Sequence, residues 1–495
     1  MTRNRQALLL AAAYAVLLLA WTFADPAGGV PDEGTHLYKA VAAGRLDLRG
    51  EKVLGKFSAA DQQRYNVQAV RAFNVPSLLV SGNFGCNKFN PPQPMTCFRV
   101  TDLSSAPRRV ETQLGGYPPF LYIVPGIFTR LGHGPRSAVL LGRLPNAGLA
   151  ALLLGLAAFA LRRRDDGGVS LAGLLLAATP MVLFLGASLN VSGLEAAAGI
   201  AFGAVLLAAS RSAQDLRRCA FPAAIAGSVL ALSRPLGPVW VLLGLALYTA
   251  FAGRRARSDI GAARAALTPA LAILGAALAG ALGWDAFSRG ANRLPLDRLP
   301  DAIGSVWDQL PRLLTEAVGT FGWIDAHMDD HVYQAWYLMV VVLVALALWL
   351  GTWSQRLALV MLAGLGLVIA VSLQGLLLGP TGDLLQARYL MALWLMLPLA
   401  AAEAVARRAQ PGGLLTRLTF PVVAVVCAVI QLIGFYTSGR RQSVGSTGAR
   451  LFFLHPAWSP PAGWLPWVLL AVVGGALMLS SAWARERGQT RSTPA

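Results

Sequence analysis

Apolar runs of 18 or more residues recur along almost the whole chain, separated by short polar or basic tracts. As an α-helix, a run of that length crosses about 30 Å of hydrocarbon. The runs are rich in Ala, Leu and Gly and lack the period-two alternation over about ten residues that a transmembrane β-barrel needs. The pattern predicts an all-α polytopic membrane protein and excludes both a barrel and a soluble enzyme on one anchor. Spans are expected at about 6–24, 137–161, 169–188, 193–210, 219–233, 236–252, 264–284, 335–352, 357–378, 387–405, 417–437 and 463–483, about twelve helices in all.

Between the first two spans lies a long mixed segment, 25–136, punctuated by Pro and Gly and far longer than a connecting loop of about 4 to 6 residues. One stretch inside it, Tyr117 to Gly132, is apolar but short and is broken by Pro118, Pro119 and Pro125. If it spanned, the helix at 137–161 would deliver Arg162, Arg163 and Arg164 to the outside, against the positive-inside rule. Reading it as an interfacial helix puts these and the other main basic tracts (Arg217 with Arg218, Arg254 to Arg257, Arg407 with Arg408, Arg485 with Arg487) in the cytoplasm, leaving Arg440 and Arg441 outside.

The expected organisation is a first transmembrane helix at 1–24, an external loop domain with interfacial helices at 25–136, and transmembrane helices two to seven at 137–284. An external loop at 285–334 follows, then helices eight to twelve at 335–495 with an external loop at 438–462. Both termini are expected in the cytoplasm. Thr22-Phe23-Ala24 is a loose signal-peptidase site, so a cleaved first helix is the alternative to a retained one.

Composition agrees: 55% of the 495 residues are hydrophobic, 13% are charged against about a quarter in soluble domains, and mean hydropathy is +0.55. A net charge of +18 would suggest nucleic acid in a soluble chain. Here the arginines sit between apolar runs with no interleaved aromatics, so they read as topology signals and no nucleic-acid partner is expected. High Ala, Gly and Arg usage points to a bacterial genome, hence a bacterial plasma membrane. All five histidines fall in segments expected outside, so any chemistry is expected at the outer face.

Three groups of residues there could carry chemistry. The first is VPDEGTHLYKA, Val30 to Ala40, where Pro31, Asp32 and Glu33 read as a helix start. Asp32 and His36 are four apart and share a face, so the acids either complement the helix dipole or supply a general base at the membrane surface. The second is GTFGWIDAHMDDHVYQ, Gly319 to Gln334, holding Asp325, His327, Asp329, Asp330 and His331. His327, Asp329 and His331 could take a divalent metal, although the spacing matches no defined motif; a solvated loop beside an aromatic belt is the other reading. The third is a set of boundary arginines, Arg143, Arg234 and Arg388, which either snorkel or clamp a lipid-linked phosphate. Cys86 and Cys97 share the loop domain, and a disulfide between them would contribute about 3 kcal/mol. Asn190-Val191-Ser192 matches the N-glycosylation pattern, and no Walker loop, GxSxG elbow or HExxH occurs.

VPDEGTHLYKA, GGYPPFLYIVPG, ASLNVSGLE, LSRPLGP, FGWID and LLQARYL, in that order over about Asp25 to Leu390, resemble the multi-pass family catalogued as domain of unknown function 2142. That family in turn resembles the GT-C-type glycosyltransferases, which take sugars from polyprenyl-phosphate donors. The resemblance implies a GT-C-like fold and an acidic motif in the first external loop, matched by Asp32 and Glu33 as catalytic residues. His36, Arg234, Asp325 and Arg388 then become substrate-binding candidates, and the partners are the lipid-linked donor and an envelope glycan, lipid or protein acceptor. A transporter or flippase of a lipid-linked precursor and a non-enzymatic envelope scaffold are the competing readings.

Overall fold

The computed structural model describes residues 3–53, 55–56, 68–163, 166–289, 298–377 and 385–484. Arg164, Arg485 and Arg487 of the basic tracts, and most of the 379–386 loop, lie outside the described residues. The chain is an all-α polytopic membrane protein. Its helices are α1 (Arg3–Ala24), α2 (Glu33–Ala43), α3 (Phe120–Thr129), α4 (Pro135–Leu161), α5 (Val169–Ala177), α6 (Pro180–Gly186), α7 (Val191–Ala209) and α8 (Ala213–Ser233). They continue with α9 (Gly237–Ala252), α10 (Ala256–Arg289), α11 (Leu299–Gly319), α12 (Asp330–Leu350), α13 (Trp353–Leu377), α14 (Met396–Ala406), α15 (Leu414–Val444) and α16 (Leu465–Trp483).

Among the described residues, nine helical stretches are long and apolar enough to cross a membrane, ten counting one bent pair. That corrects the expectation of about twelve, and the differences have local causes. The spans expected at 236–252 and 264–284 form one continuous stretch, Gly237–Ser288, turning at 253–255. The span expected at 169–188 is the bent pair, α5 and α6, which meet at 59°. There Pro180 cannot continue the preceding helix, and the Thr179 hydroxyl caps the new one by accepting from the Val182 amide at 3.3 Å. The segment expected at 387–405 is split into short helical turns before α14 and stays among the shorter apolar helices.

Helix α7 is the axis of the bundle, buried along its whole length between α4, α6, α8, α9 and α14. Its sequence of Ala and Gly permits that, because small residues let helix backbones approach closely in a membrane protein. At Gly199 a Cβ would stand 2.7 Å from the Ala392 carbonyl oxygen, so no larger residue fits.

The segment between α1 and α4 builds a cap on one end of the bundle. Helix α3 has only ten residues, about 15 Å, too short to cross a bilayer. It packs on α2 where Gly44 meets Gly126; a Cβ on Gly126 would lie 1.9 Å from the Ala40 oxygen. The cap also holds a feature the sequence pattern did not announce, a three-stranded antiparallel sheet of β1 (Glu51–Lys52), β2 (Arg71–Pro76) and β3 (Pro107–Thr112). A second small hairpin, β4 (Thr320–Phe321) with β5 (Ala326–His327), joins α11 to α12. Cys86 and Cys97 form a disulfide across a Cα separation of 5.9 Å.

Candidate functional site

The site lies where the chain leaves α1 and starts α2, and it is built from two adjacent acids in opposite circumstances. Glu33, in the first turn of α2, has no exposed side-chain surface. Both of its oxygens meet the Arg143 guanidinium, at 2.7 and 2.6 Å, and they also accept from the amides of Leu189 (3.1 Å) and Gly28 (3.0 Å). Arg143 donates onward to the carbonyls of Thr22, Asp25 and Pro26. With every acceptor direction used, this two-pronged pair ties α1, α2, α4 and the start of α7 together. Both Glu33 oxygens are therefore engaged within the fold, each accepting two hydrogen bonds.

Asp32 has a different environment. It stands at the N-cap position of α2 in the left-handed region at φ 60°, and its side chain makes no cap hydrogen bond there. Holding a non-glycine residue there costs of order 1–3 kcal/mol and is a mark of functional sites. Its carboxylate forms an ion pair with Arg388 and retains 26% side-chain exposure, against 4% for the arginine. Burial would raise the Asp32 carboxyl, but the charge and hydrogen bond of Arg388, helped by His36 and Lys88, hold it below the usual carboxylate range.

Arg388 lies in the turn Ala387–Tyr389, which is itself held from below. Glu316 of α11 accepts from the Ala387 amide at 2.9 Å and pairs with Arg312 at 2.7 Å, and Arg312 donates to the Leu385 carbonyl at 3.0 Å. Beside Arg388 stands Arg234, the residue that ends α8. It pairs with Glu195 of α7 at 2.9 Å and reaches the Arg388 carbonyl at 3.4 Å; Glu195 also accepts from the Trp240 indole at 3.0 Å. The Tyr389 ring lies under both guanidinium groups, 4.6 Å from Arg234 and 5.5 Å from Arg388. Among the described residues the Nε atoms of both arginines are buried without a hydrogen-bond partner. Two neighbouring cations beside one partly exposed carboxylate supply the charge to hold a second anion, once its binding uncovers these groups.

His36 shares the face of Asp32, as helical spacing requires, and donates to or accepts from the Tyr122 hydroxyl at 2.8 Å. Burial, reinforced by Arg388 and Arg234 and opposed by Asp32, pushes the imidazole down to about 3, so it is neutral. Asp25, just past α1, went unnoticed in the sequence. Burial pushes its carboxyl up to about 7, Arg143 and the Ser438 hydroxyl pulling the other way, and one of its oxygens has no partner.

The remaining candidates are placed elsewhere. Asp325 pairs with Arg441 of α15 at 2.8 Å, while its other oxygen receives the Trp323 amide at 3.2 Å within the β4–β5 turn. Asp329 caps α12 by accepting from the His331 amide at 3.0 Å, and its ring contact with His331, at 2.8 Å, is exposed. His327 is exposed on β5. Among the described residues no cluster of three or more His, Cys, Asp or Glu is arranged to hold a metal ion, so these three do not form the suggested metal site. Asn190 is buried, with its amide donating to the Pro31 carbonyl at 3.2 Å and its oxygen capping α7, which removes it as a glycosylation acceptor. Glu195 and Glu316 were missed, although Glu195 carried a signal: it is a lone acid in an otherwise apolar run.

The family model described as "Predicted membrane protein (DUF2142)" matches residues 16–397, which contain every residue of this site. No curated protein and no solved structure matches the chain.

Proposed function

The chain belongs to the DUF2142 family of predicted membrane proteins, and from that premise we propose that it is a membrane glycosyltransferase. It transfers a sugar from a polyprenyl-phosphate donor to a cell-envelope acceptor, at the outer face of a bacterial plasma membrane. The observation that carries this reading is the partly exposed Asp32 carboxylate held by Arg388, next to Arg234, with a buried donor on each arginine that has no partner among the described residues.

In this reaction the acceptor hydroxyl gives its proton to Asp32 as its oxygen attacks the anomeric carbon. The bond from that carbon to the phosphate oxygen breaks, and the polyprenyl phosphate leaves with the electron pair, inverting the centre. Arg388 and Arg234 stabilise the phosphate charge through the two donors that are free at rest. A carboxylate paired with an arginine is a weak base, so the order of binding follows: donor phosphate shares Arg388, Asp32 is loosened, and only then does the acceptor find a competent base. Glu33 fixes the loop on which Asp32 sits, and neutral His36 adds no charge to compete with the phosphate.

A second reading, a transporter or flippase of a lipid-linked envelope precursor, draws on the break between α5 and α6, since discontinuous helices line many transporter sites. Against it, the Ala178 carbonyl freed at that break accepts from the Gln431 side chain at 2.8 Å, and the pairs Asp32–Arg388 and Glu195–Arg234 gather at the cap instead.

The test uses the purified chain in lipid nanodiscs with a panel of polyprenyl-phosphate sugars, parent beside Asp32→Asn. Donor binding in both and turnover in the parent alone is the expected result. No binding of any such donor overturns the proposal, and binding without turnover in the parent moves the weight to transport.

A further inference from the structure

Next to Asp32 the disulfide loop carries a group of side chains that the mechanism above does not use. The loop's base is closed by the Gly82–Val100 bridge, and the Cys86–Cys97 disulfide closes it again. Arg441 at the end of α15 donates to three of its carbonyls, Asn87 (2.9 Å), Asn90 (3.2 Å) and Gln93 (2.7 Å), and Asn87 donates in turn to Gln442 at 3.1 Å. A loop pinned at so many points cannot relax its tip. Yet at that tip Phe89 is held at φ 54° with 70% of its surface exposed. Burial gains nothing from the ring and the backbone conformation costs energy, which together mark a residue kept for contact with something else.

The ring's neighbours define what that contact is. Phe89 stands edge to face with Trp323 at 6.4 Å, and the Lys88 ammonium lies 4.8 Å from the centre of each ring. Trp323 is itself fixed, its indole donating to the Gly28 carbonyl at 3.1 Å, four residues before Asp32. It can lie that close only because Gly85 has no side chain; a Cβ there would be 2.6 Å from the indole. Phe84 of the same loop packs directly on α2, since a Cβ on Gly34, two residues after Asp32, would stand 2.7 Å from its side chain. An exposed aromatic face, a second indole and an ammonium donor within one rigid patch match a pyranose. The C–H face of that sugar packs on an aromatic ring, while its rim of hydroxyls takes hydrogen bonds.

We propose that Lys88, Phe89 and Trp323 form a saccharide subsite on the disulfide loop, which seats the sugar ring of the acceptor beside Asp32. Naming the occupant as acceptor rests on the glycosyltransferase reading; the saccharide subsite does not. Because the loop is already rigid, binding there loses little entropy, so a weak stacking contact is turned into a usable one.

The experiment measures binding of a panel of free pyranosides and short oligosaccharides, by saturation-transfer NMR on the full chain in nanodiscs, for the parent, Phe89→Ala, Phe89→Trp and Asp32→Asn. The parent is expected to bind at least one of them, Phe89→Ala about tenfold more weakly, and Phe89→Trp close to the parent, with Asp32→Asn retaining binding. Phe89 is 70% exposed and meets the buried Trp323 only edge to face, so its replacement is expected to leave folding intact, checked by an unchanged melting temperature. No binding by the parent, or equal binding by Phe89→Ala, overturns the proposal. So does a Phe89→Trp variant whose added fluorescence is quenched by brominated phospholipid and not by saccharide, which assigns the ring to the bilayer surface. If Phe89-dependent saccharide binding is found but no polyprenyl donor binds, the subsite stands and the glycosyltransferase reading falls.

Discussion

The two ends of the helix bundle handle buried charge in different ways. At the end away from the cap, Glu403 of α14 is wholly enclosed. It takes Arg211 at 2.6 Å, Arg407 at 2.9 Å and Arg163 at 3.7 Å, with the Ser170 hydroxyl at 3.2 Å. One acid serves three arginines from three parts of the chain, and its oxygens are used up. At the cap end four acids are each matched with one arginine: Glu33 with Arg143, Glu195 with Arg234, Asp325 with Arg441 and Asp32 with Arg388. Of these only Asp32 keeps substantial exposure, and its partner, like Arg234, keeps an unused donor. Closed pairs hold helix ends together; in the proposed reaction the open one is where the donor phosphate and the acceptor hydroxyl would enter.

Removing a closed acid should have the largest structural effect. Glu33→Ala and Glu403→Ala each leave buried arginine charge uncompensated and should cost about 3–5 kcal/mol, read as a lower melting temperature in detergent. A loss below about 1 kcal/mol at either position would erase the distinction between closed and open pairs. The disulfide comes next: Cys86→Ser should cost about 2–3 kcal/mol on the chain-entropy model and loosen the loop bearing Phe89, seen as faster amide exchange over 83–98.

Within any one pH unit, the titration of His36 has the smallest effect of the three. The imidazole of His36 is held neutral by burial, so below its ordinary value of 6.5 the unfolded chain binds a proton that the folded chain refuses until about 3. The His36 contribution to stability is therefore fully present above pH 6.5 and falls as the pH drops, by about 1.4 kcal/mol per unit at most, against an opposite contribution from Asp25, whose carboxyl is pushed up to about 7. His36→Gln, which can still reach the Tyr122 hydroxyl, should flatten that slope; an unchanged slope would place the titration elsewhere.

Much of the fold was legible because a span announces itself locally: twenty apolar residues need no knowledge of their neighbours. The prolines around Tyr117 to Gly132 marked a helix too short to cross, and α3 is that helix. The strands were not legible, since β2 and β3 are six residues each and their cores depend on packing against α2 rather than on alternation. At the site the sequence supplied Asp32, His36, Arg234 and Arg388 but not their pairing. Arg388 meets Asp32 across 356 positions and Arg143 meets Glu33 across 110, and no local pattern encodes such a contact. Two neighbouring acids therefore looked equivalent in sequence, and only the fold separates a locked one from an open one.

The most direct measurement is turnover of a polyprenyl-phosphate sugar by Asp32→Asn per folded molecule, against the parent, with melting temperatures recorded alongside. A loss of about 100-fold or more with a melting temperature within a few degrees of the parent is the predicted result. Turnover within about twofold of the parent would contradict the assignment of Asp32 as the base.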